Sequence, residues 1–121
     1  MSTIREHVDE LNNMILQGQI LEAFDKFYAP GVVMADMFTG NREGFDHCRQ
    51  FEVDFVNNLT EFRGAEVKNV EVDEENGLAF VHWAMDYTHK EWGVRDYEQV
   101  AVQRWEDGQI VHERFLYTVP A

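Results

Sequence analysis

Two carboxylic acids in this sequence lie beside apolar residues, where a carboxyl group has little contact with water and can take part in proton transfer. Asp36 ends the apolar segment 32–35, and Glu113 lies between Val111 and Phe115 in a strand-like alternation. A carboxylate at an apolar pocket loses hydration, so its pKa rises and it can take a proton near neutral pH. The alternatives are an ordinary strand-end acid for Asp36 and, for Glu113, a twist or bulge that returns the side chain to water or to an arginine.

Further residues are placed to line a pocket around these acids. Aromatic and amide side chains recur with a period of two along the last strand-like segments, which puts them on one face of a sheet. These residues are Trp83, Tyr87, Tyr97, Gln99, Gln103, Trp105, Phe115 and Tyr117. The rings would stack on a flat ligand or, alternatively, pack against each other as core. Two inward amides need hydrogen-bond partners, so Gln99 and Gln103 favour a binding site.

The histidines and the single cysteine do not have the spacing of a metal or nucleophile site. The five histidines form no metal-ligand motif, and the sequence implies neither a metal nor a cofactor. Cys48 falls on the apolar stripe of a helix and is interpreted as a small buried hydrophobe. One cysteine alone also excludes an internal disulfide.

Helices followed by strands must position these residues. Helical periodicity predicts a first helix between Thr3 and Gly18, a second between Ile20 and Pro30, and a third between Asn41 and Leu59. A short β-prone segment, 32–36, separates the last two. Tight turns at 76–77 and 107–108 then predict antiparallel strands at about 62–75, 77–90, 95–106 and 109–118. This order is typical of the α+β class.

Length and charge limit the class of protein. The 121 residues, 45% hydrophobic and 27% charged, predict one globular domain over 1–121. The net charge of −13 opposes phosphate backbones and anionic lipid, so neither nucleic acid nor a membrane is an expected partner. We find no apolar run of about 18 residues and no apolar signal core near residue 1, so a cytoplasmic location is expected.

The register of the last hairpin contains a conflict. A two-residue loop at 107–108 would place Glu113 opposite Val102, and residues opposite each other share a face of the sheet. Alternation nevertheless assigns Val102 to the outside and Glu113 to the inside. A bulge between residues 95 and 118 that shifts the register by one residue resolves the conflict, and we predict one.

Two segments resemble a known family. One runs from Phe27 to Asp36 (Phe-Tyr-Ala-Pro-Gly-Val-Val-Met-Ala-Asp) after two helices, and the other is the hairpin from Arg104 to Val111 (Arg-Trp-Glu-Asp-Gly-Gln-Ile-Val). The chain is similar, over nearly its whole length, to the SnoaL-like branch of the nuclear-transport-factor-2-like superfamily. The resemblance implies three N-terminal helices packed on a curved antiparallel sheet, a cone-shaped barrel of cystatin-like fold with a pocket at its open end.

The catalytic positions of enzymes in this superfamily can be compared with this sequence one at a time. Asp36 falls where ketosteroid isomerases of this superfamily carry their general base, but Leu11 and Ala101 occupy the positions of the two oxyanion donors. Phe115 occupies the position of the polyketide-cyclase aspartate, with Glu113 as the nearest carboxylate on that face. We therefore predict a small-molecule-binding SnoaL-like protein for a modest apolar or aromatic ligand. It would transfer a proton with Asp36 and Glu113, as an isomerase, cyclase or dehydratase does, or be a non-enzymatic binding or dimerisation module.

The outward face of the predicted sheet is unusually apolar. It carries Phe80, Ala84, Val100, Val102, Ile110 and Leu116. A monomer rarely leaves such an area in water, and the resemblance implies pairing through this face. The sequence thus predicts a homodimer.

Overall fold

The computed structural model describes residues 3–117, which form three helices and one six-stranded sheet. The elements are α1 (Ile4–Leu16), α2 (Ile20–Phe27), β1 (Tyr28–Asp36), β2 (Arg42–Glu43), α3 (Phe45–Asn57), β3 (Leu59–Asp73), β4 (Leu78–His89), β5 (Gly93–Glu106) and β6 (Gln109–Tyr117). The predicted α+β class and element order are confirmed. The sequence prediction did not include β2, because residues 40–41 indicated only a turn.

Local signals account for the helix boundaries. Thr3 and Glu6 form a capping box, in which each side chain accepts a hydrogen bond from the other residue's backbone N–H at the start of α1. Helix α3 begins after Gly44, whose φ of 89° is a conformation that L side chains rarely adopt. The observed helix lies within the segment from Asn41 to Leu59 in which the periodicity predicted it.

The strand order brings the two halves of the chain together at β1 and β6. The sheet runs β2-β1-β6-β5-β4-β3, and only the β1–β6 pair is parallel. This pairing sets Met34 beside Glu113 and Asp36 beside Phe115. The two predicted acids therefore reach adjacent strands, although 76 residues separate them in the sequence.

The predicted bulge in the last hairpin is present. Glu106 pairs with Gln109, whereas Gln103 pairs with Glu113, so the register shifts by one residue between these pairs. Val111, expected inside, has no partner in this register and is only half-buried. The assignment of Ile110 to the outward face was wrong: the bulge turns this side chain inward, where it is fully buried.

Helices α1 and α2 cover one end of the concave face of the sheet. Their apolar stripes and the facing strands form the core, which includes Val8, Leu11, Ala23, Phe24, Phe27, Val81, Trp105 and Ile110. Among residues 3–117 there is no helix of the length and apolarity that a membrane crossing requires.

Candidate functional site

A cavity of about 420 Å³ opens between the three helices and the concave face of the sheet. Pockets for small molecules typically measure roughly 300–1,000 Å³, so the volume suits a ligand of modest size. Nine of the ten predicted site residues line it: Asp36, Trp83, Tyr87, Tyr97, Gln99, Gln103, Glu113, Phe115 and Tyr117. The period-two pattern of the strands therefore marks one wall of this cavity, and the roles of these residues toward a ligand stay predictions.

Trp105 is the exception, and its prediction as a ligand-stacking residue was wrong. Its side chain is buried in the core, where the ring stacks on His7 and meets the edge of Phe27, with 5.8 Å between ring centroids in both cases. Residues from α1 and α2 seal this end of the sheet face, so an inward position here is a core position.

Trp105 instead begins a buried chain of hydrogen bonds. Its indole Nε1 donates to Oε1 of Gln103 at 3.1 Å. Because an indole can only donate, the atom of Gln103 that faces it must be the amide oxygen. Gln103 is thereby oriented with Nε2 toward Glu113, to whose Oε2 it donates at 2.8 Å. The hydroxyl of Tyr28 donates to the other carboxylate oxygen of Glu113. The chain fixes the orientation of the carboxyl group at the wall of the cavity.

Glu113 is inward, as predicted, with an exposed fraction of 2%. Burial raises the pKa of its carboxyl group, while the hydrogen bonds from Tyr28 and Gln103 act in the opposite direction. Burial and the neighbouring Glu113 carboxylate together raise the pKa of the Tyr28 phenol well above its ordinary value. The cavity wall thus holds an acid that favours its protonated form more than a glutamate in water does.

Asp36 lines the cavity and is also the last residue of strand β1. The hydroxyl of Tyr117 donates to both carboxylate oxygens, at 2.8 and 2.9 Å. The backbone N–H groups of Phe38 and Thr39 donate to Oδ1 at 2.8 and 3.0 Å, which is the geometry of an Asx turn. Burial, and then the bond to Asp36, raises the pKa of the Tyr117 phenol. Both sequence interpretations of Asp36 therefore describe part of its setting.

Asp36→Asn is expected to lower the free energy of unfolding by only about 1 kcal/mol. The asparagine Oδ1 still accepts from the two backbone N–H groups, and its amide can donate to the Tyr117 oxygen, so only the charge is lost. Asp36→Ala, which removes every bond, is the comparison. Urea denaturation of both variants measures the difference, and an asparagine variant as unstable as the alanine variant would refute this assignment.

Glu52 on α3 was missed by the sequence analysis, although it lines the cavity. Burial and the charge of Glu113 raise the pKa of its carboxyl group to about 7, against a smaller lowering by Arg42. Glu52 makes no hydrogen bond from its side chain to any residue within 3–117. Its position carried a signal, because it follows Cys48 by four residues and so lies on the apolar stripe of the helix.

Arg42 on β2 is a second missed residue, and its side chain is a buried cation with an exposed fraction of 5%. Its Nη1 donates to Oγ1 of Thr39 at 3.0 Å and to the carbonyl oxygen of Gly40 at 3.3 Å. The guanidinium carbon lies 3.6 Å from the centroid of the Phe51 ring, a cation–π contact. Its Nε has no hydrogen-bond partner among residues 3–117.

The remaining wall is mainly aromatic and aliphatic, and it contains three further polar residues that sequence reasoning missed: Asn12, Thr39 and Arg95. The hydroxyls of Tyr87 and Tyr97 are 3.0 Å apart, and Trp92, from the turn before β5, stacks on His89 with 3.8 Å between ring centroids. Asn12, which lines the cavity from α1, is buried, and its Oδ1 has no hydrogen-bond partner in the described part of the chain. The described residues contain no cluster of three or more potential metal ligands.

This combination of fold and cavity has known relatives. The family model of the SnoaL-like domain matches residues 4–113, and the chain belongs to this family. The structural neighbours share its nuclear-transport-factor-2-like, cystatin-like fold. No curated protein matches the chain.

Three solved structures illustrate the likeness. A Mesorhizobium loti protein with the provisional name of SnoaL-like polyketide cyclase is 22% identical, with a TM-score of 0.85 over 96% of this chain and 100% of its own. A Xanthomonas campestris protein of unknown function with a cystatin-like fold is 16% identical, with a TM-score of 0.81 over 98% and 92%. A Bacillus subtilis protein provisionally named an isomerase is 13% identical, with a TM-score of 0.76 over 93% and 84%. At these identities the likeness shows the fold alone.

Proposed function

We propose that this protein binds a small, mainly apolar or aromatic molecule in the cavity and transfers a proton on it without a cofactor, as an isomerase, a cyclase or a lyase would. The observation that carries the proposal is the presence of three carboxyl groups, Asp36, Glu52 and Glu113, in the wall of one largely aromatic cavity. The names of the Mesorhizobium loti and Bacillus subtilis proteins are consistent with such chemistry.

Glu52 is the proton carrier in this proposal. Both oxygens of Asp36 and both oxygens of Glu113 already accept hydrogen bonds from the protein. Glu52 has no such bond within residues 3–117, and its pKa of about 7 lets it both accept and donate a proton at neutral pH. Asp36, the acid favoured by the sequence, then serves to position Tyr117 at the wall.

The test begins with the molecule that co-purifies with the chain, identified by native mass spectrometry. Proton NMR in deuterium oxide then follows exchange of the acidic C–H of that molecule. We expect the native chain to catalyse exchange and Glu52→Gln to lose it by about a hundredfold or more. Glu66→Gln, an exposed glutamate on β3, is the matched control and should retain the native rate.

A non-catalytic binding module is the alternative, and the occupied oxygens of Asp36 and Glu113 favour it. Acids that are held by tyrosines and an amide can serve to orient a ligand without exchanging a proton. Saturable binding of the co-purified molecule with no exchange of its C–H above the buffer rate would establish this alternative and contradict catalysis.

We also propose that the protein is a homodimer that pairs through the outer face of the sheet. Phe80 and Leu116 are exposed on this face, and Val100 and Val102 beside them are only half-buried. Light scattering at micromolar concentration should give twice the chain mass of 14.2 kDa. Val102→Glu should shift the equilibrium toward the monomer, because it would bury an unpaired charge at the interface. A mass of one chain throughout that range would contradict the dimer.

A further inference from the structure

Arg42 is a buried charge that forms no ion pair within the described part of the chain. None of the ion pairs among residues 3–117 includes it, so no carboxylate oxygen there lies within 4.0 Å of its guanidinium nitrogens. Its partners within these residues are a hydroxyl, a carbonyl oxygen and an aromatic ring, and its Nε has none there. A guanidinium does not lose its proton in a protein, so this charge persists at all physiological pH values.

A buried charge without a counter-charge is costly, and the cavity is where a counter-charge can enter. We propose that Arg42 binds an oxyanion of the ligand, so that the molecule in the cavity is an aromatic or apolar acid rather than a neutral hydrocarbon. This inference rests on the proposed function and specifies its ligand class. A planar guanidinium suits a carboxylate or sulfonate group, and the aromatic wall suits the rest of such a molecule.

Glu52 makes this binding depend on pH. Five groups interact electrostatically with the Glu52 carboxyl group. They are Glu113 on β6, Arg42 on β2, Tyr28 on β1, Tyr87 on β4 and Cys48 on the same helix. Arg42 is the only cation among them, and Arg95 on β5 is a second cation in the wall of the cavity. An ionised Glu52 repels a bound anion and competes for Arg42. Protonation of Glu52 removes both effects, so an anionic ligand should bind more tightly as the pH falls through 7.

A pair of fluorescent probes separates the contribution of charge from that of the cavity. The anion 1-anilinonaphthalene-8-sulfonate and the neutral N-phenyl-1-naphthylamine share one ring skeleton and differ in the sulfonate. We expect Arg42→Gln to weaken binding of the anion at least about tenfold and to leave the neutral probe within about twofold. Arg104→Gln, which removes the same charge from an exposed position on the outer face, should alter neither affinity.

The Glu52→Gln variant tests the same proposal without changing Arg42. For the native chain, affinity for the anion should fall about tenfold between pH 6 and pH 9, whereas the variant should hold its pH 6 affinity throughout. The two proteins differ at residue 52 alone, so the difference between the two profiles belongs to Glu52. The oxyanion site would be overturned if Arg42→Gln lowered the affinity for both probes equally and if the pH profiles of affinity for the native chain and Glu52→Gln ran parallel. Failure of the neutral probe to bind the native chain would instead contradict the proposed function itself.

Discussion

Replacing Gln103 by leucine should lower the free energy of unfolding by about 3 kcal/mol. The leucine fits the volume, but it leaves the Trp105 indole N–H without an acceptor and removes one donor from the buried Glu113 carboxyl group. Each buried group without a partner costs about 1–3 kcal/mol. Thermal and urea denaturation, followed by circular dichroism, measure the loss.

Gln99→Leu is the matched control for this experiment. Gln99 lies four residues earlier on the same strand and the same face, and its side chain makes no hydrogen bond to any residue within 3–117. The same substitution there should change stability by less than about 1 kcal/mol. Equal losses for the two variants would mean that the chain from Trp105 to Glu113 does not contribute to stability.

Replacing Glu52 by glutamine should stabilise the protein above neutral pH. The native pKa of about 7 lies above the ordinary value of 4.5, so between these values the native state binds more protons than the unfolded chain. Stability should therefore fall as the pH rises from 4.5 to 7 and stay low above it. The full difference corresponds to about 3 kcal/mol, and since Glu52 is half-buried we expect a gain of about 2 kcal/mol at pH 8.

The same variant should gain almost nothing at pH 4, where the native glutamate is protonated in both states. Glu66→Gln again serves as the control and should leave the slope of stability against pH unchanged. Denaturation curves of the three proteins at pH 4, 6 and 8 give the comparison. If Glu52→Gln kept the native slope of unfolding free energy against pH, the proton uptake would belong to a group other than Glu52.

Alternation and turn residues predicted most of the sheet because both follow from local geometry. A two-residue period needs only the pleat, and an Asp107-Gly108 turn needs only positive φ, which both residues adopt. The bulge was also predictable, since without it Glu113 and Val102 could not lie on opposite faces. The sequence did not predict which residue the bulge moves inward, because the choice between Ile110 and Val111 depends on packing under the helices.

The candidate site was predictable where it lies on strands and obscure where it lies elsewhere. Asp36 and Glu113 follow from the strand pattern, but Arg42 stands on a two-residue strand that pairs only with β1. Trp105 and Tyr97 have equivalent positions in the alternation of β5. Only the cover provided by His7 and Phe27 distinguishes a core tryptophan from a cavity residue.

A fluorescence titration with N-phenyl-1-naphthylamine tests most directly whether the cavity binds a small apolar molecule. The native chain should bind one probe per chain, saturably. Gln99→Trp, which fills part of the cavity with a larger side chain, should abolish binding while keeping the native melting temperature, and Gln99→Leu should bind as the native chain does. Absence of saturable binding to the native chain, or equal binding by the native chain and a folded Gln99→Trp variant, would contradict binding in the cavity.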